Sequence, residues 1–289
     1  MDLKLLQQYE YNLLNLVIKI CDEEHINYWL TGGSMVGAVK YAGIVPWDDD
    51  LDIGMLRSDL EQFIQAVQER FGQDSRYEIL SDMTHADYGI TWCKLIDKQT
   101  QIEEDYPFSS RTVFLDIVPY DAVPNSVIGR TLKKISFHLL DRLVHSRYIN
   151  LYIDNRLGKL LYGLLTTVLS VIPTRTLKAM RHYVMTSSHS SKTRVYGNYA
   201  SWFDWGHEWA TADELAAFKS VPFGDGQARI PVGADSILKR MYGDITQDPA
   251  AADQHPDHVK SFHVLNHISS TEIVVQPAVI HHELSSVKE

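Results

Sequence analysis

The acidic run at residues 48–52 has the residue types and the spacing of a metal site. Asp50 and Asp52 are separated by a single residue, Leu51, and the residue after each aspartate, Leu51 or Ile53, is apolar. Side chains two residues apart in a β-strand share a face, so the two aspartates point one way and their apolar neighbours point into the core. Two adjacent carboxylates raise each other's pKa unless a cation lies between them. The pattern predicts a divalent-cation site, and the alternative is a solvated acidic turn.

Mg²⁺ is the cation that best fits this pair, with Mn²⁺ as the alternative. Magnesium holds few protein carboxylates and completes its shell with water and substrate phosphate oxygens. We expect Asp48 to add an outer ligand. A further carboxylate, Asp116, stands inside the apolar run Thr112–Pro119, where an unpaired charge is costly. We expect Asp116 to share the metal or to act as a general base, and the alternative is a strand-end Asp bonded to backbone.

The residues just before the acidic run have the pattern of a phosphate-binding turn. The short apolar run Tyr28–Thr31 stops at Gly32 and Gly33, as a strand does when it ends in a tight turn. Gly33 has no β-carbon, so a phosphate can approach the backbone there, and Ser34 is expected to cap the helix Met35–Tyr41. The free N–H groups and the positive dipole end of a helix N-terminus suit phosphate.

These stretches together resemble the signature of the LicD family. The resemblance covers residues 33–40, 43–53, 94–97, 114–121 and 232–249, the last around Tyr242-Gly243-Asp244. Ser34 stands where Thr is usual in that family, and Lys40 stands where Arg is usual. Neither difference removes a metal ligand, although Lys40 would bind phosphate as a point charge rather than as a bidentate fork.

The resemblance implies an α/β (α+β) fold with a nucleotidyltransferase-like mixed-sheet core, flanking helices and a helical insertion. It also implies transfer of a phospho-alcohol, with phosphocholine favoured, from a CDP-activated donor to a sugar hydroxyl. The acceptor would be a cell-surface glycan or a lipid-linked glycan, such as teichoic acid, lipopolysaccharide or capsule. Asp50, Asp52 and Asp116 would be catalytic. Gly32, Gly33, Ser34, Lys40, Lys94 and, by family position, His255 would contact substrate.

Three other functions remain open at this point. A nucleotide-sugar glycosyltransferase also carries paired aspartates, and an ordinary nucleotidyltransferase would attack the α-phosphorus of its donor. A non-catalytic binding module is the third alternative. The net charge of −10 argues against nucleic acid as a partner, because nucleic-acid binding requires a basic face.

Composition and termini indicate a cytoplasmic protein. The only two cysteines, Cys21 and Cys93, make neither a disulfide framework nor a metal knuckle. The N-terminus lacks the design of a signal peptide. The longest strongly apolar stretch, Leu160–Ile172, has 13 residues, too few for a helix that crosses a bilayer.

The basic residues concentrate in one segment. Gly129–Arg194 holds 12 Lys and Arg against 2 Asp and Glu, and its leucine-rich texture predicts helices over Ile128–Ile149, Asn155–Ile172 and Thr174–Ser187. We therefore divide the chain into a catalytic core, 1–127, a basic helical subdomain, 128–195, and a C-terminal part, 196–289. The subdomain is expected either to pack on the core as a cap or to bind the anionic surface at the inner face of the membrane.

Periodicity and capping signals predict the remaining elements. Helices are expected at Leu3–Glu24, from the capping box at Ser58 to Arg70, from the capping box at Thr211 to Lys219, and at Asp235–Tyr242. Strands are expected at Asp50–Gly54, Tyr77–Leu80, Ile90–Ile96, Thr112–Pro119 and Ile273–Val275, and a turn followed by a strand is expected within Gly224–Pro231. Lys94 would share a strand face with Trp92, and Asp97 is either a turn residue or a partner of Lys94. The aromatic residues of 198–209 either form a cage for a quaternary ammonium or close a core.

Overall fold

The computed structural model describes residues 1–72, 75–104, 110–148, 163, 171–188 and 194–265. The helices are α1 Leu3–Glu24, α2 Gly32–Lys40, α3 Arg57–Arg70, α4 Val127–His145, α5 Thr174–Thr186 and α6 Ala234–Tyr242. The strands are β1 Trp29–Leu30, β2 Asp52–Leu56, β3 Tyr77–Leu80, β4 Cys93–Asp97, β5 Thr100–Glu104, β6 Val113–Ala122, β7 Val195–Gly197, β8 Trp209–Thr211, β9 Phe218–Phe223, β10 Gly226–Pro231 and β11 Val259–Val264. The predicted helix 155–172 falls almost entirely outside the described residues, as does the predicted strand Ile273–Val275.

A mixed sheet forms the centre of the fold, with the strand order β1-β2-β6-β4-β3. β2 and β6 run parallel, whereas β1 pairs antiparallel with β2, β4 with β6, and β3 with β4. The far end of β6 also pairs with β7, which continues to β8. This arrangement confirms the predicted α/β class with a mixed sheet and flanking helices.

Strand β6 is central because its sequence suits burial on both sides. All but one of its ten residues are buried, and the exception is Asp116. The strand continues past the predicted end at Pro119 to Ala122. Its neighbours therefore place every side chain of β2 and β4 in register with a residue of β6, which fixes where Asp116 lies.

Helix α1 matches its predicted bounds and packs one face into the main core. Its buried residues are Leu6, Glu10, Leu13, Leu14, Val17, Ile20 and Cys21, a helical stripe with one carboxylate in it. Asp2 caps the first turn by accepting a hydrogen bond from the N–H of Leu5. The last turn ends at His25 in the left-handed region, with φ 57°.

Helices α4 and α5 pack on each other beside the end of β6. Their interior consists of Leu140, Leu143, Val144 and Leu177. Arg181 of α5 is fully buried and pairs with Asp141 of α4 and with Asp82 of the core. The basic segment therefore contacts the core through its described helices. The domain boundaries given above remain predictions.

The two predicted capping boxes differ from what is observed. α3 begins at Arg57 rather than after Ser58, because Arg57 turns inward to form a buried bidentate pair with Asp121, at 2.9 and 2.6 Å. At Thr211 the reciprocal capping bonds with Glu214 do form, at 2.7 and 3.1 Å. The predicted helix to Lys219 is nevertheless wrong, since the chain there enters β9 and pairs with β10. β5, β7, β8, β9 and β11 were not predicted.

Candidate active site

Three side chains form a row across the middle of the sheet. Asp52 of β2 is the register partner of Asp116 of β6, and Asp116 is the register partner of Lys94 of β4. Register partners on adjacent strands point to the same face, with the strands about 4.8 Å apart. The structure thus brings together the second aspartate of the pair, the distant third aspartate and the predicted lysine.

Asp116 is held from the β4 side. The Nζ of Lys94 lies 3.4 Å from Oδ1 of Asp116, and the indole N–H of Trp92 donates to Oδ2 at 3.1 Å. The Lys94 side chain is only 3% exposed, and its ammonium lies over the ring of Phe114. Burial raises the pKa of Asp116 to about 6, and the Lys94 charge opposes part of that rise. Oδ1 has no hydrogen-bond partner among the residues that the structure describes.

The N-terminus of α2 lies against Asp52 and Asp48. The helix begins at Gly32, which has φ +55°, a conformation that favours glycine. A β-carbon on Gly32 would lie 3.1 Å from Oδ2 of Asp52, and one on Gly33 would lie 2.9 Å from Oδ2 of Asp48. Both carboxylates therefore approach the first turn of the helix, where its N–H groups and positive dipole end are located.

Ser34 has a different role from the predicted cap. Because α2 starts three residues earlier than expected, Ser34 lies within the first turn and Thr31 takes the N-cap position. The Ser34 hydroxyl is buried and accepts a hydrogen bond of 2.8 Å from the N–H of Asp52. Ser34 thus fixes the strand end that carries Asp52 against the helix that carries Gly32 and Gly33.

The three consecutive aspartates separate into two roles. The carboxyls of Asp48 and Asp50 lie close enough to interact, and burial together with Asp50 raises the pKa of Asp48 to about 9. Asp49 turns away and accepts hydrogen bonds from the backbone N–H groups of His258 and Val259, so it anchors β11. The Nε2 of His258 lies 3.3 Å from Oδ2 of Asp50.

The electrostatics of this cluster fit a divalent cation. Burial raises the pKa of Asp52 well above its usual range, and the charges of Asp50 and Asp116 raise it further. Within the described part of the chain, no three His, Cys, Asp or Glu side chains are grouped so that they could hold a metal ion as they stand. The site is therefore not a closed protein cage. Magnesium normally uses only one or two carboxylates with water and phosphate, and the pair of Asp50 and Asp52 meets that requirement.

Comparison with known proteins then identifies the core. Residues 25–138 match the LicD/FKTN/FKRP nucleotidyltransferase domain family. The chain therefore carries a LicD-family domain. The match spans Gly32, Gly33, Ser34 and all four aspartates of the site, and it confirms the resemblance that the sequence motifs indicated.

Relatives extend the likeness beyond the LicD domain. The chain is 25% identical over 270 residues to the lipopolysaccharide cholinephosphotransferase LicD of Haemophilus influenzae, covering 88% of this chain and 95% of the relative. It is 39% identical over 44 residues to the ribitol 5-phosphate transferase FKRP of Homo sapiens, covering 15% of this chain and 9% of that protein. A structure of ANT(2″)-Ia in complex with adenylyl-2″-tobramycin aligns over 60% of this chain and 95% of its own at 12% identity, but the TM-score of 0.23 is too low to inform on fold or function.

Two predicted substrate contacts lie away from the aspartates. Lys40 is the last residue of α2, about 12 Å along the helix from Gly32 at 1.5 Å per residue, and its ammonium pairs with Asp248. His255 is exposed, and its Nδ1 lies 2.8 Å from Oδ1 of Asp257. The structure places His258 at the site rather than His255. No spacing rule separates these two histidines, because the difference arises from the anchoring of β11 by Asp49.

Asp97 pairs with Arg76 and not with Lys94. Its carboxylate forms a bidentate pair with Arg76, at 2.9 and 2.5 Å, and accepts the N–H of Gln99. Asp97 is therefore a turn residue on the opposite face of β4 from Lys94. It does not hold that lysine.

Sequence reasoning missed Glu208, which lies outside the LicD domain match. Glu208 is buried and accepts hydrogen bonds from Asn198 at 3.0 Å and from the Tyr120 hydroxyl at 3.4 Å. Burial raises its pKa to about 7, and its charge contributes to the raised pKa of Asp52. The Tyr120 hydroxyl also bonds with Thr31, at 2.7 Å, directly before α2. The available signal was the presence of a carboxylate within the aromatic segment 198–209.

The aromatic segment 198–209 is mostly packed. Tyr199 belongs to a small core with Val123, Phe137 and Met185, and Trp205 and Trp209 pack against it. Trp202, by contrast, is 83% exposed. This favours the core interpretation for Tyr199. Tyr199, Trp205 and Trp209 also line, together with Glu208, a cavity of about 180 Å³. Separately, no helix in the described ranges has both the length and the apolar character needed to cross a bilayer.

Proposed function

We propose that this chain is a Mg²⁺-dependent transferase that moves a phospho-alcohol from a CDP-activated donor to a sugar hydroxyl of a cell-surface glycan. The observation that carries the proposal is the placement of Asp52 and Asp116 as register partners beside the N-terminus of α2. The relatives support an enzyme of the phosphotransferase class. Phosphocholine is the favoured group because the cholinephosphotransferase LicD aligns over 88% of this chain, against 15% for the ribitol 5-phosphate transferase.

The donor diphosphate would bind at the first turn of α2. The N–H groups of Gly32 and Gly33 would contact its oxygens. The Ser34 hydroxyl, which accepts the N–H of Asp52, would keep the end of the Asp52 strand next to these two glycines. Asp50 and Asp52 would hold Mg²⁺ with Asp48 behind them. The bound ion would neutralise the charge that develops on the phosphate oxygens. Lys94 acts through Asp116 in this scheme, because its ammonium is buried against that carboxylate.

Asp116 is the proposed general base. Its carboxylate is ion-paired with Lys94 and accepts the indole N–H of Trp92, which would hold it in place to take the proton of the acceptor hydroxyl. With a pKa of about 6, the carboxylate is ionised at neutral pH yet basic enough to accept a proton. The acceptor oxygen would form a bond to the phosphorus that carries the alcohol. The bond from that phosphorus to the CMP oxygen would break, and CMP would leave with the electron pair.

A donor panel tests this reaction against its rivals. Purified chain would be incubated with Mg²⁺, a glycan acceptor and CDP-choline, CDP-ribitol, CDP-glycerol or a UDP-sugar. The proposal expects CMP release with a CDP-alcohol, loss of turnover in Asp52→Asn, and unchanged turnover in Asp235→Asn, an exposed acid on α6. Transfer of a sugar from the UDP-sugar would indicate a glycosyltransferase. An NMP-modified acceptor would indicate a nucleotidyltransferase, and cation binding without turnover would indicate a binding module.

The basic segment 129–194 is proposed to bind an anionic membrane surface, where a lipid-linked acceptor would be found. Exposed apolar residues repeat along one face of α4, and exposed Met180 and Tyr183 of α5 extend that surface. The α4 residues are Ile128, Leu132, Ile135 and Leu139. Apolar side chains within a segment rich in Lys and Arg are typical of interfacial helices. Flotation with phosphatidylglycerol liposomes at low salt tests this: co-flotation that Leu132→Asp abolishes is expected, and no co-flotation of the unaltered chain contradicts it.

A further inference from the structure

Helix α1 lies outside the LicD domain match and turns polar side chains toward the acidic loop. Gln7, Glu10 and Tyr11 are spaced three and four residues apart, so they share one face of the helix. Glu10 is 1% exposed. An apolar residue is the usual occupant of such a position, because a buried carboxylate is costly unless it is compensated.

Two of these residues hold the loop that carries the aspartates. The side-chain amide of Gln7 donates to the backbone oxygens of Asp48, at 2.9 Å, and Val45, at 3.3 Å. The Tyr11 hydroxyl accepts the N–H of Ile44 at 2.8 Å. A β-carbon on Gly43 would lie 2.6 Å from that hydroxyl, so the loop can approach α1 this closely only with glycine there. These contacts with helix α1 therefore fix the position of the acidic loop.

Glu10 lies between these two contacts and is uncompensated. Its Oε2 is buried without a hydrogen-bond partner in the part of the chain that the structure describes, and no ion pair involves it there. The charges that act on it most strongly are those of Asp50, Asp48 and Asp49. A buried carboxylate that other carboxylates repel is stabilised when a cation lies among them.

We propose that Glu10 is a positioning residue of the cation site, whose carboxylate strengthens divalent-cation binding from behind Asp48 and Asp50. The inference rests on the proposed function, because it concerns the same cation. Glu10 acts through the loop aspartates and through the negative charge that it adds at their rear. Residues that orient metal ligands from behind typically change metal affinity 10- to 100-fold when they are replaced.

The test measures cation binding rather than turnover. Mg²⁺ and Mn²⁺ would be titrated calorimetrically into the metal-free chain, the Glu10→Gln variant and the Glu23→Gln variant. Glu23 is exposed on the same helix and pairs with Arg70, so this control removes an equal charge from α1 at a remote position. The expected result is about 10- to 100-fold weaker binding in Glu10→Gln and binding within twofold of the unaltered chain in Glu23→Gln.

Two further measurements separate the possible failures. The Tm of metal-free Glu10→Gln should not fall, because burial already disfavours the charged form of Glu10 and glutamine keeps the side-chain shape. Glu10→Asp, which keeps a carboxyl, should recover part of the affinity. Equal affinity in Glu10→Gln and the unaltered chain overturns the role of Glu10 and leaves the proposed function intact. An unaltered chain that binds neither Mg²⁺ nor Mn²⁺ overturns both this inference and the metal-dependent part of the proposed function.

Discussion

Divalent-cation affinity should rise steeply with pH, because protons and the cation compete for the same carboxyls. In the metal-free chain the pKa of Asp48 is about 9 and that of Asp116 is about 6. Between pH 6 and 8.5 Asp48 is mainly protonated and Asp116 is mainly ionised, so cation binding must release at least the proton of Asp48; the raised pKa values of Asp52 and Glu10 add to this release. From Asp48 alone, the Kd for Mg²⁺ falls about tenfold per pH unit, or about 300-fold over this range, which corresponds to about 3.4 kcal/mol at 1.36 kcal/mol per unit. Below pH 6 the dependence steepens, since Asp116 also carries a proton.

The same shifts determine how the stability of the metal-free chain varies with pH. Both acids have folded-state pKa values above the usual 3.8. Their favourable contribution is therefore fully present below pH 3.8 and is lost as the pH rises through about 6 for Asp116 and about 9 for Asp48. Bound Mg²⁺ removes this loss. The increase in Tm caused by Mg²⁺ should accordingly be larger at pH 8.5 than at pH 5.5.

Calorimetric titration in two buffers of different ionisation enthalpy counts the released protons directly. The unaltered chain should release at least about one proton per cation at pH 7.5. Asp48→Asn should release fewer protons and should lose the part of the pH dependence between pH 6 and 8.5 that comes from Asp48. Glu208, with a pKa of about 7, titrates in the same window, and Glu208→Gln measures its share. A Kd that does not change between pH 6 and 8.5, with no proton released, refutes the assignment of these carboxyls to the cation.

Two substitutions test how the site is supported. Lys94→Met should lower the free energy of unfolding by about 3–5 kcal/mol, because Asp116 is left buried without the Lys94 ammonium. The double variant Lys94→Met/Asp116→Asn should recover most of that stability but show no activity. Denaturant titration that finds Lys94→Met as stable as the unaltered chain contradicts this. Ser34→Ala should cost about 1–3 kcal/mol because the N–H of Asp52 loses its buried acceptor, whereas Ser34→Thr keeps the hydroxyl. Equal stability of the alanine and threonine variants would show that the Asp52 bond contributes little.

Local pattern predicts those parts of the site that depend on alternation within one strand. The faces of Asp52 and of Lys94 follow from the period of two in β2 and β4, and the position of Asp116 follows from a single carboxylate in an apolar strand. Helix α1 was predicted to the residue, because an unbroken apolar stripe and a clear end define it. These features arise from neighbours in the sequence, which is why the residues alone were sufficient.

Contacts between distant segments determine the rest. Asp49 is as acidic as Asp48 and Asp50, but it binds the backbone at residues 257–259, more than 200 positions away. The same contact brings His258 to the site and leaves His255 in solvent. β9 and β11 mix apolar and polar residues, and they were missed because they are stabilised by pairing with β10 and β5. Nothing in the local sequence distinguishes Glu10 and Glu208 from exposed polar residues, because their burial results from contacts with distant segments.

A manganese-loaded crystal would show directly whether a divalent cation binds at the aspartate cluster. Crystals grown with Mn²⁺ and measured at the manganese absorption edge would locate the ion without reference to activity. We predict an anomalous peak at a coordination distance of about 2.1 Å from carboxylates of Asp50 and Asp52, next to Gly32 and on the Asp116 face of the sheet. A peak elsewhere in the molecule, or no peak at saturating Mn²⁺, would contradict it.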